Sequence, residues 1–166
     1  MRSDAQSDVL IRTMTRDDRG GIAGLVFSVE NFSQAERECA MELVDIYLDD
    51  ESQKDYWFAV AENSPSKPLA YACWSPVPLT QGTFDLYWIA THPNARGSGF
   101  GRALMAHIEG SVREQGGRLL VAETSAKESY RKTIEFYQRL NFEEASRIRD
   151  FYDVGDDRLI FIKRLS

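Results

Sequence analysis

The central part of the sequence switches between the hydrophobic period of a strand and that of a helix, and this order restricts the fold more than any other feature. Thr83 to Thr91 is rich in aromatic residues, which predicts a strand, and Pro93 stops it. From Gly99 an apolar residue recurs every four positions until Gly116, which predicts an amphipathic helix ended by glycine. Between this strand and this helix lies a glycine cluster, which contains Gly97, Gly99 and Gly101.

The alternation continues beyond this helix. Arg118 to Thr124 carries an apolar run that predicts a strand buried on both faces, and Glu128 to Leu140 predicts a second helix. Its expected inward side chains are Ile134, Tyr137 and Leu140. A strand, a helix and another strand in this order predict one parallel crossover in the middle of the chain.

The flanking segments predict antiparallel strands and further helices. Ser33 and Glu36 have capping-box spacing, so a helix is expected from there to about Leu48, and the Thr-Arg-Asp-Asp run that follows the first strand suits another helix start. The remaining predicted strands are Val9 to Thr13, Tyr56 to Ala61, Leu69 to Ser75, Phe142 to Tyr152 and Arg158 to Leu165, with turns at Asn63 to Pro68 and Asp153 to Asp157. These elements predict an α/β (α+β) fold with a mixed, mostly antiparallel sheet, a central parallel crossover and helices on both faces. We expect one domain over residues 1–166.

Composition limits the partners. The chain has 166 residues, 43% of them hydrophobic, and a formal net charge of −6, which argues against binding a nucleic-acid backbone. No apolar run approaches the roughly 20 residues that span a bilayer, and Met1 to Gln6 lacks an apolar signal core, so no membrane is expected. Cys39 and Cys73 belong to no metal or disulfide pattern. We expect a soluble protein of the reducing cytoplasm.

The glycine cluster is suited to binding phosphate. Glycine lets the backbone approach a ligand, and the first N–H groups of a helix lack internal partners and attract anions. The dinucleotide pattern G-x-G-x-x-G fails because Arg102 stands where its last glycine would fall, and the mononucleotide P-loop fails because no Gly-Lys pair exists. A different phosphate loop is therefore indicated.

Arg96, Gly99 and Gly101 do fit the pattern Q/R-x-x-G-x-G/A, at the turn from an aromatic strand into a helix. This resembles the coenzyme A pyrophosphate loop of the GNAT superfamily of N-acetyltransferases. The resemblance extends over Thr83 to Leu165 and includes a segment similar to F-Y-x-x-x-G-F at Phe136 to Phe142. Asn141 replaces the usual glycine there, and asparagine also adopts the left-handed conformation that ends a helix.

The resemblance implies acetyl-coenzyme A as co-substrate and no metal. Main-chain groups of the strand end would pair with the pantetheine arm, as in peptide addition to a sheet edge, and the loop amides with two arginines would hold the pyrophosphate. The implied coenzyme-binding residues are Ile89, Ala90, Thr91, Arg96, Gly97, Ser98, Gly99, Phe100, Gly101 and Arg102.

The resemblance also implies catalytic residues. Tyr137 lies where many relatives place a tyrosine near the coenzyme sulfur, and a phenol can protonate a departing thiolate. Its alternative role is that of a core tyrosine. Glu123 ends the fifth strand and is the candidate base, with a plain strand-end charge as the alternative and Asp85 in reserve. His92 and His107 have no metal or nucleophile pattern, so both are expected to be structural.

These inferences predict an N-acetyltransferase that moves an acetyl group from acetyl-coenzyme A directly to a primary amine of a small molecule or peptide. One alternative is a catalytically silent acyl-coenzyme A-binding module of the same fold, acting as a sensor or partner. A second is an unrelated small α/β protein whose glycine loop holds another phosphate. The apolar last strand, Leu159 to Ile162, suits either the core or the seam of a homodimer.

Overall fold

The structure is a computed structural model that describes residues 9–50, 52–64 and 67–166. Its helices are α1 (Arg19–Ser28), α2 (Gln34–Asp49), α3 (Phe100–Glu114) and α4 (Arg131–Arg139). Its strands are β1 (Leu10–Thr13), β2 (Trp57–Glu62), β3 (Ala70–Pro76), β4 (Thr83–Thr91), β5 (Leu119–Ser125), β6 (Glu143–Asp153) and β7 (Asp156–Arg164). Among the described helices, none has both the length and the apolar character needed to cross a bilayer.

The strands form a seven-stranded sheet in the order β1-β2-β3-β4-β5-β7-β6. β4 and β5 are parallel, whereas β1 with β2, β5 with β7 and β6 with β7 are antiparallel. The predicted mixed, mostly antiparallel sheet with a central parallel crossover is confirmed.

Contacts divide the chain into two compact units. The first consists of Met1–Gln53, Phe58–Ala72 and Ile89–His107, and the second of Lys54–Trp57, Cys73–Trp88 and Ile108–Ser166. The single domain expected over residues 1–166 stays a prediction.

In the first unit, a charged network joins β1, β2 and the start of the first helical segment. Arg12 donates hydrogen bonds to both carboxylate oxygens of Asp18 at 2.7 and 2.8 Å, and to both of Glu62 at 2.9 and 3.1 Å. Asp18 and Glu62 are buried, and Asp18 also accepts from the backbone N–H of Thr15 at 2.8 Å. Because each buried carboxylate has a cationic partner, the network avoids the cost of an unpaired buried charge.

The capping box predicted for α2 is present. Ser33 Oγ accepts from the N–H of Glu36 at 3.2 Å, and the N–H of Ser33 donates to Glu36 Oε2 at 2.7 Å. The buried side chains of α2 are Ala40, Val44 and Leu48, one turn apart, so this helix has the expected buried face.

In the second unit, the helix and strand ends follow the glycine and asparagine signals. Gly82 has φ +78, and a Cβ there would lie 2.7 Å from the carbonyl oxygen of Gly116, so no other residue fits without a shift. Asn141 adopts φ 63 at the end of α4, as its replacement of glycine predicted. Gly155, with φ +79, turns the chain between β6 and β7.

Three expectations need correction. β5 is not buried on both faces, because Leu119 and Val121 are half-buried and Glu123 is exposed. Residues 128–130 form a 3₁₀ turn before α4, and Ile134 and Leu140 of the predicted inward stripe are only half-buried, so Tyr137 is its one buried member. An apolar run and a helical stripe show which side chains are apolar, but the burial of those side chains also depends on whether other segments cover them.

Two of the sequence predictions concern residues outside the described part of the chain. These residues are Pro65 and Ser66 of the predicted turn, and Met1 to Gln6 at the start of the chain. The strands on either side of that turn are present, and the N–H of Leu69 donates to the carbonyl of Ala61 at 2.8 Å. Cys39 and Cys73 are both free thiols.

Candidate functional site

The glycine loop leaves β4 through a short capped turn. His92 Nδ1 accepts from the N–H of Asn94 at 3.2 Å and caps the 3₁₀ turn Pro93–Ala95. The N–H of His92 donates to the carbonyl of Leu69 at 2.8 Å, which holds the strand end. This histidine therefore has the structural role that the sequence predicted.

The loop itself needs glycine at two positions. Gly97 has φ +77 and Gly99 has φ +88, in the left-handed region that other residues rarely adopt. A Cβ at either position would meet no described atom within 4 Å, so the conformation, not crowding, requires glycine. The residues Arg96 to Gly99 are all exposed. The loop surface is therefore open to a ligand.

The start of α3 favours an anion. The N–H of Ala103 donates to the carbonyl of Gly99 at 2.9 Å, which begins the helical ladder, and the N–H of Ser98 donates to the carbonyl of Ala95 at 3.3 Å. The first amides of a helix, before its ladder begins, lack internal partners and attract anions. The first turn of α3 contains no acidic residue. Arg96 and Arg102 are exposed, and neither forms an ion pair with a carboxylate in the described part of the chain. The loop and the first turn of α3 thus combine backbone amides with two exposed arginines that have no carboxylate partner in the described part of the chain.

The loop has a further feature that suits an extended ligand. The pairing of β4 with β5 covers only Thr83–Leu86 with Leu119–Ala122, although β4 continues to Thr91 and β5 to Ser125. The two strands are therefore no longer paired with each other after the Leu86–Ala122 pair. An unpaired strand edge offers main-chain donors and acceptors to an extended chain.

A group of charged and aromatic side chains in the second unit lies on one face of the sheet where this pairing ends. Arg158 donates a hydrogen bond to Glu123 Oε1, and its guanidinium lies 4.6 Å from the centre of the Phe151 ring. The side chain of Glu123 is 39% exposed and that of Arg158 is 22% exposed. The predicted base is thus an accessible carboxylate held by an arginine from a neighbouring strand.

Asp85 belongs to the same face. It is opposite Val121 in the parallel pair, and Val121 and Glu123 are two residues apart on β5, so their side chains share a side of the sheet. Burial raises the pKa of Asp85, and the positive charge of Arg158 acts in the opposite direction, with a net rise. The carboxylate of Asp85 forms no hydrogen bond with a described residue.

Two tyrosines border this face. Tyr87 follows Asp85 by two residues on β4, is 46% exposed, and packs edge-to-face with Tyr56 at a ring distance of 5.6 Å. Burial raises the pKa of Tyr87, and the neighbouring Asp85 adds to the rise. This phenol therefore stays protonated at neutral pH.

Tyr137 lies on the other face. Its ring packs at 5.3 Å from Phe142 and 5.6 Å from Phe161. Phe161 is opposite Ala122 on β5, and adjacent strand residues point to opposite sides, so Tyr137 and Glu123 are on opposite faces of the sheet. Burial raises the pKa of Tyr137 well above its usual value, which keeps the hydroxyl protonated.

Sequence reasoning missed Arg158 and the ion pair it forms. The sequence placed Arg158 only at the start of a strand, and 35 residues separate it from Glu123. The β5–β7 register, which pairs Ser125 with Arg158 and Glu123 with Ile160, brings the two together. The residues predicted to bind coenzyme, 89–91 and 96–102, lie in the first unit, whereas Asp85, Glu123 and Tyr137 lie in the second.

The end of β5 is fixed by a buried acid. Asp156 is buried and accepts a hydrogen bond from Ser125 Oγ at 2.5 Å, and Lys127 Nζ lies 3.1 Å from its other oxygen. The N–H of Lys127 in turn donates to Ser125 Oγ at 3.1 Å. These contacts hold β5 in place beyond Glu123. In the described residues, no group of three or more His, Cys, Asp or Glu is arranged to hold a metal ion.

Comparisons with known proteins agree with this architecture. The family model described as "Acetyltransferase (GNAT) family" matches residues 26–142. A GNAT-family protein of Desulfovibrio desulfuricans, solved as a crystal structure, is 38% identical over 96% of this chain and 100% of its own, with a TM-score of 0.90. No curated protein matches the sequence significantly.

More distant solved structures share the fold. The ribosomal-protein-S18-alanine N-acetyltransferase of Escherichia coli is 22% identical, over 96% of this chain and 95% of its own, with a TM-score of 0.74. A Salmonella typhimurium protein solved with its cofactor acetyl-CoA is 16% identical over the same shares, with a TM-score of 0.73. The unrelated phosphate-binding α/β protein considered as an alternative is excluded. The chain belongs to the GNAT family of acetyltransferases, and as an acyltransferase it transfers acetyl groups.

Proposed function

We propose that this protein is an N-acetyltransferase that moves an acetyl group from acetyl-coenzyme A directly to a primary amine of a small molecule or peptide. The observation that carries the proposal is that β4 and β5 are no longer paired after the Leu86–Ala122 pair. A carboxylate pair lies on one face of the sheet near the end of this pairing, and a buried tyrosine lies on the other.

The residues of the glycine loop fit the coenzyme. Its pyrophosphate would be held by the amides of Gly97 to Arg102 and by the guanidinium groups of Arg96 and Arg102, which lack carboxylate partners among the described residues. Main-chain groups of Ile89, Ala90 and Thr91 would pair with the pantetheine arm along the free edge of β4. Acetyl-coenzyme A supplies the acetyl group as an activated thioester.

The carboxylates and the tyrosine would divide the proton transfers. An ammonium cannot attack a carbonyl, so a carboxylate of the Asp85 and Glu123 pair takes its first proton and frees the nitrogen lone pair. The nitrogen then bonds to the carbonyl carbon, and the carbon–sulfur bond breaks. Tyr137 donates its hydroxyl proton to the departing thiolate, and the second proton lost from nitrogen restores the phenol. The products are the amide, the free thiol and one proton released to solvent through the carboxylate.

Burial raises the pKa of Tyr137, which keeps the hydroxyl protonated as a proton donor requires but also makes the phenol a weaker acid toward the thiolate. Because burial keeps the phenol protonated, the donor is present throughout the neutral range. A core tyrosine would be buried in the same way, so burial alone does not separate the two roles. A Tyr137→Phe variant separates them, because it removes only the proton donor and leaves the ring contacts with Phe142 and Phe161.

The proposal is tested by thiol release in the presence of acetyl-coenzyme A and a panel of polyamines, amino acids, aminoglycosides and lysine peptides. Calorimetry with coenzyme A measures binding separately. Turnover with at least one amine is expected. Tight coenzyme binding without turnover on any amine would favour the alternative, a silent acyl-coenzyme A-binding module.

A further inference from the structure

Arg158 contacts more parts of the candidate site than any other side chain described above. From β7 it hydrogen-bonds Glu123 on β5, its guanidinium lies against Phe151 on β6, and its charge acts on Asp85 on β4. One arginine thus links four strands on a single face of the sheet. Its Nε atom is buried and has no hydrogen-bond partner, so the guanidinium is held by Glu123 and the Phe151 ring.

The two carboxylates on this face are in different situations. Glu123 has its Oε1 occupied by the Arg158 hydrogen bond, and accepting a proton there would weaken a charge-assisted bond. Asp85 is half-buried, and its carboxylate forms no hydrogen bond with a described residue. Carboxylates whose surroundings differ in this way commonly have different catalytic roles.

We propose that Asp85 takes the first proton from the acceptor ammonium, and that Arg158 is a positioning residue that binds Glu123 and leaves Asp85 free to do so. This inference rests on the proposed N-acetyltransferase function. In the step, one N–H bond of the ammonium breaks, its electron pair stays on nitrogen, and the proton moves to a carboxylate oxygen of Asp85. Glu123 remains the ionised partner of Arg158 throughout.

The charged and titratable groups around Asp85 come from every neighbouring segment. Tyr87 follows it on β4, Tyr56 packs on Tyr87, and the buried Cys73 of β3 acts on the same tyrosine. Glu123 lies on the same face of the sheet from β5, and the positive charge of Arg158 acts on Asp85 from β7. Arg158 is the only cation of this set, so its removal must raise the pKa of Asp85, whereas a lysine would retain the charge and lose the planar hydrogen-bonding geometry.

The pH dependence of kcat tests the proposal, because kcat reports ionisations in the enzyme–substrate complex. Wild-type kcat should fall toward acid pH as Asp85 becomes protonated. In Arg158→Gln the decline of kcat should occur at higher pH, and in Arg158→Lys it should occur near the wild-type pH. Asp85→Asn should remove the decline and lower kcat by about 100-fold. Glu123→Gln should keep the fall and lose less activity than Asp85→Asn. Arg164→Gln, on the same face of β7, is the control that should match wild type.

A titration independent of turnover accompanies this experiment. Carbon-detected NMR of the Asp85 carboxyl should show a pKa above the ordinary aspartate value, with a further rise in Arg158→Gln and none in Arg158→Lys. The assignment of Asp85 as the base is wrong if kcat of Asp85→Asn still declines at acid pH while kcat of Glu123→Gln does not. It is also wrong if the pKa of Asp85 is the same in wild type and in Arg158→Gln. Coenzyme binding without turnover on any amine would overturn the proposed transfer itself, and with it the role of Asp85.

Discussion

Arg158 on β7 donates a hydrogen bond to Glu123 on β5, although 35 residues separate them in the chain. The bond spans two adjacent antiparallel strands at the point where β5 is no longer paired with β4. A carboxylate at such a strand end would otherwise be a mobile surface charge. The arginine fixes it on the face of the sheet that also carries Asp85, so this face holds one carboxylate that is hydrogen-bonded to an arginine and one whose carboxylate has no hydrogen bond among the described residues.

Gly99→Ala should weaken coenzyme A binding by roughly tenfold, because an L-residue at φ +88 costs about 1–2 kcal/mol in the left-handed region. Gly110→Ala is the matched control, since Gly110 also has open space around a built Cβ but lies within α3 without a positive φ. Calorimetry measures both dissociation constants. Equal affinities for the two variants would mean that the loop conformation does not matter for the ligand.

Arg96→Ala and Arg102→Ala should each weaken coenzyme A binding roughly fivefold at low salt, as expected for exposed charge pairs. The double variant should also lose most of the salt dependence of binding, because exposed charges are screened as ionic strength rises. Arg139→Ala, an exposed arginine at the end of α4, is the control. A wild-type dissociation constant that is insensitive to salt would contradict this role of the two arginines.

Arg12→Ala should destabilise the fold by about 3 kcal/mol, because it leaves the buried carboxylates of Asp18 and Glu62 without their cation. Chemical denaturation measures the loss. Arg19→Ala removes an exposed pair with Asp45 and should change the unfolding midpoint little. If both variants lose the same free energy of unfolding, the buried Arg12 network stabilises the fold no more than the exposed Arg19–Asp45 pair does.

The same network predicts a pH dependence of stability. Burial raises the pKa of Asp18, but the hydrogen bonds from Arg12 and Thr15 outweigh it and lower the pKa below its usual value. The stabilisation is therefore present above the unfolded-state pKa of about 4 and is lost as pH falls through the lower folded-state value. Melting temperatures from pH 7 to pH 2 should decline in the acid range, and the decline should be smaller in Asp18→Asn.

The sequence was sufficient to predict the elements that local signals define. The bounds of β4, the buried stripe of α3, the capping box at Ser33 and the left-handed Asn141 all depend on residues close together in the chain. Arg158 could not be identified in this way, because its role depends on the register of β7 against β5. The half-burial of Leu119 and Val121 likewise depends on how well other segments cover that face, which an apolar run does not reveal.

We propose that Tyr137 is the proton donor in acetyl transfer. The most direct test of this role is the rate of thiol release from acetyl-coenzyme A with the best amine of the panel, compared between wild type and Tyr137→Phe at equal coenzyme affinity. Tyr71→Phe, which changes another buried tyrosine, is the control. A fall in kcat of about 100-fold in Tyr137→Phe with unchanged coenzyme binding is the predicted result. A kcat equal to that of wild type would show that the Tyr137 hydroxyl does not donate the proton to the thiolate.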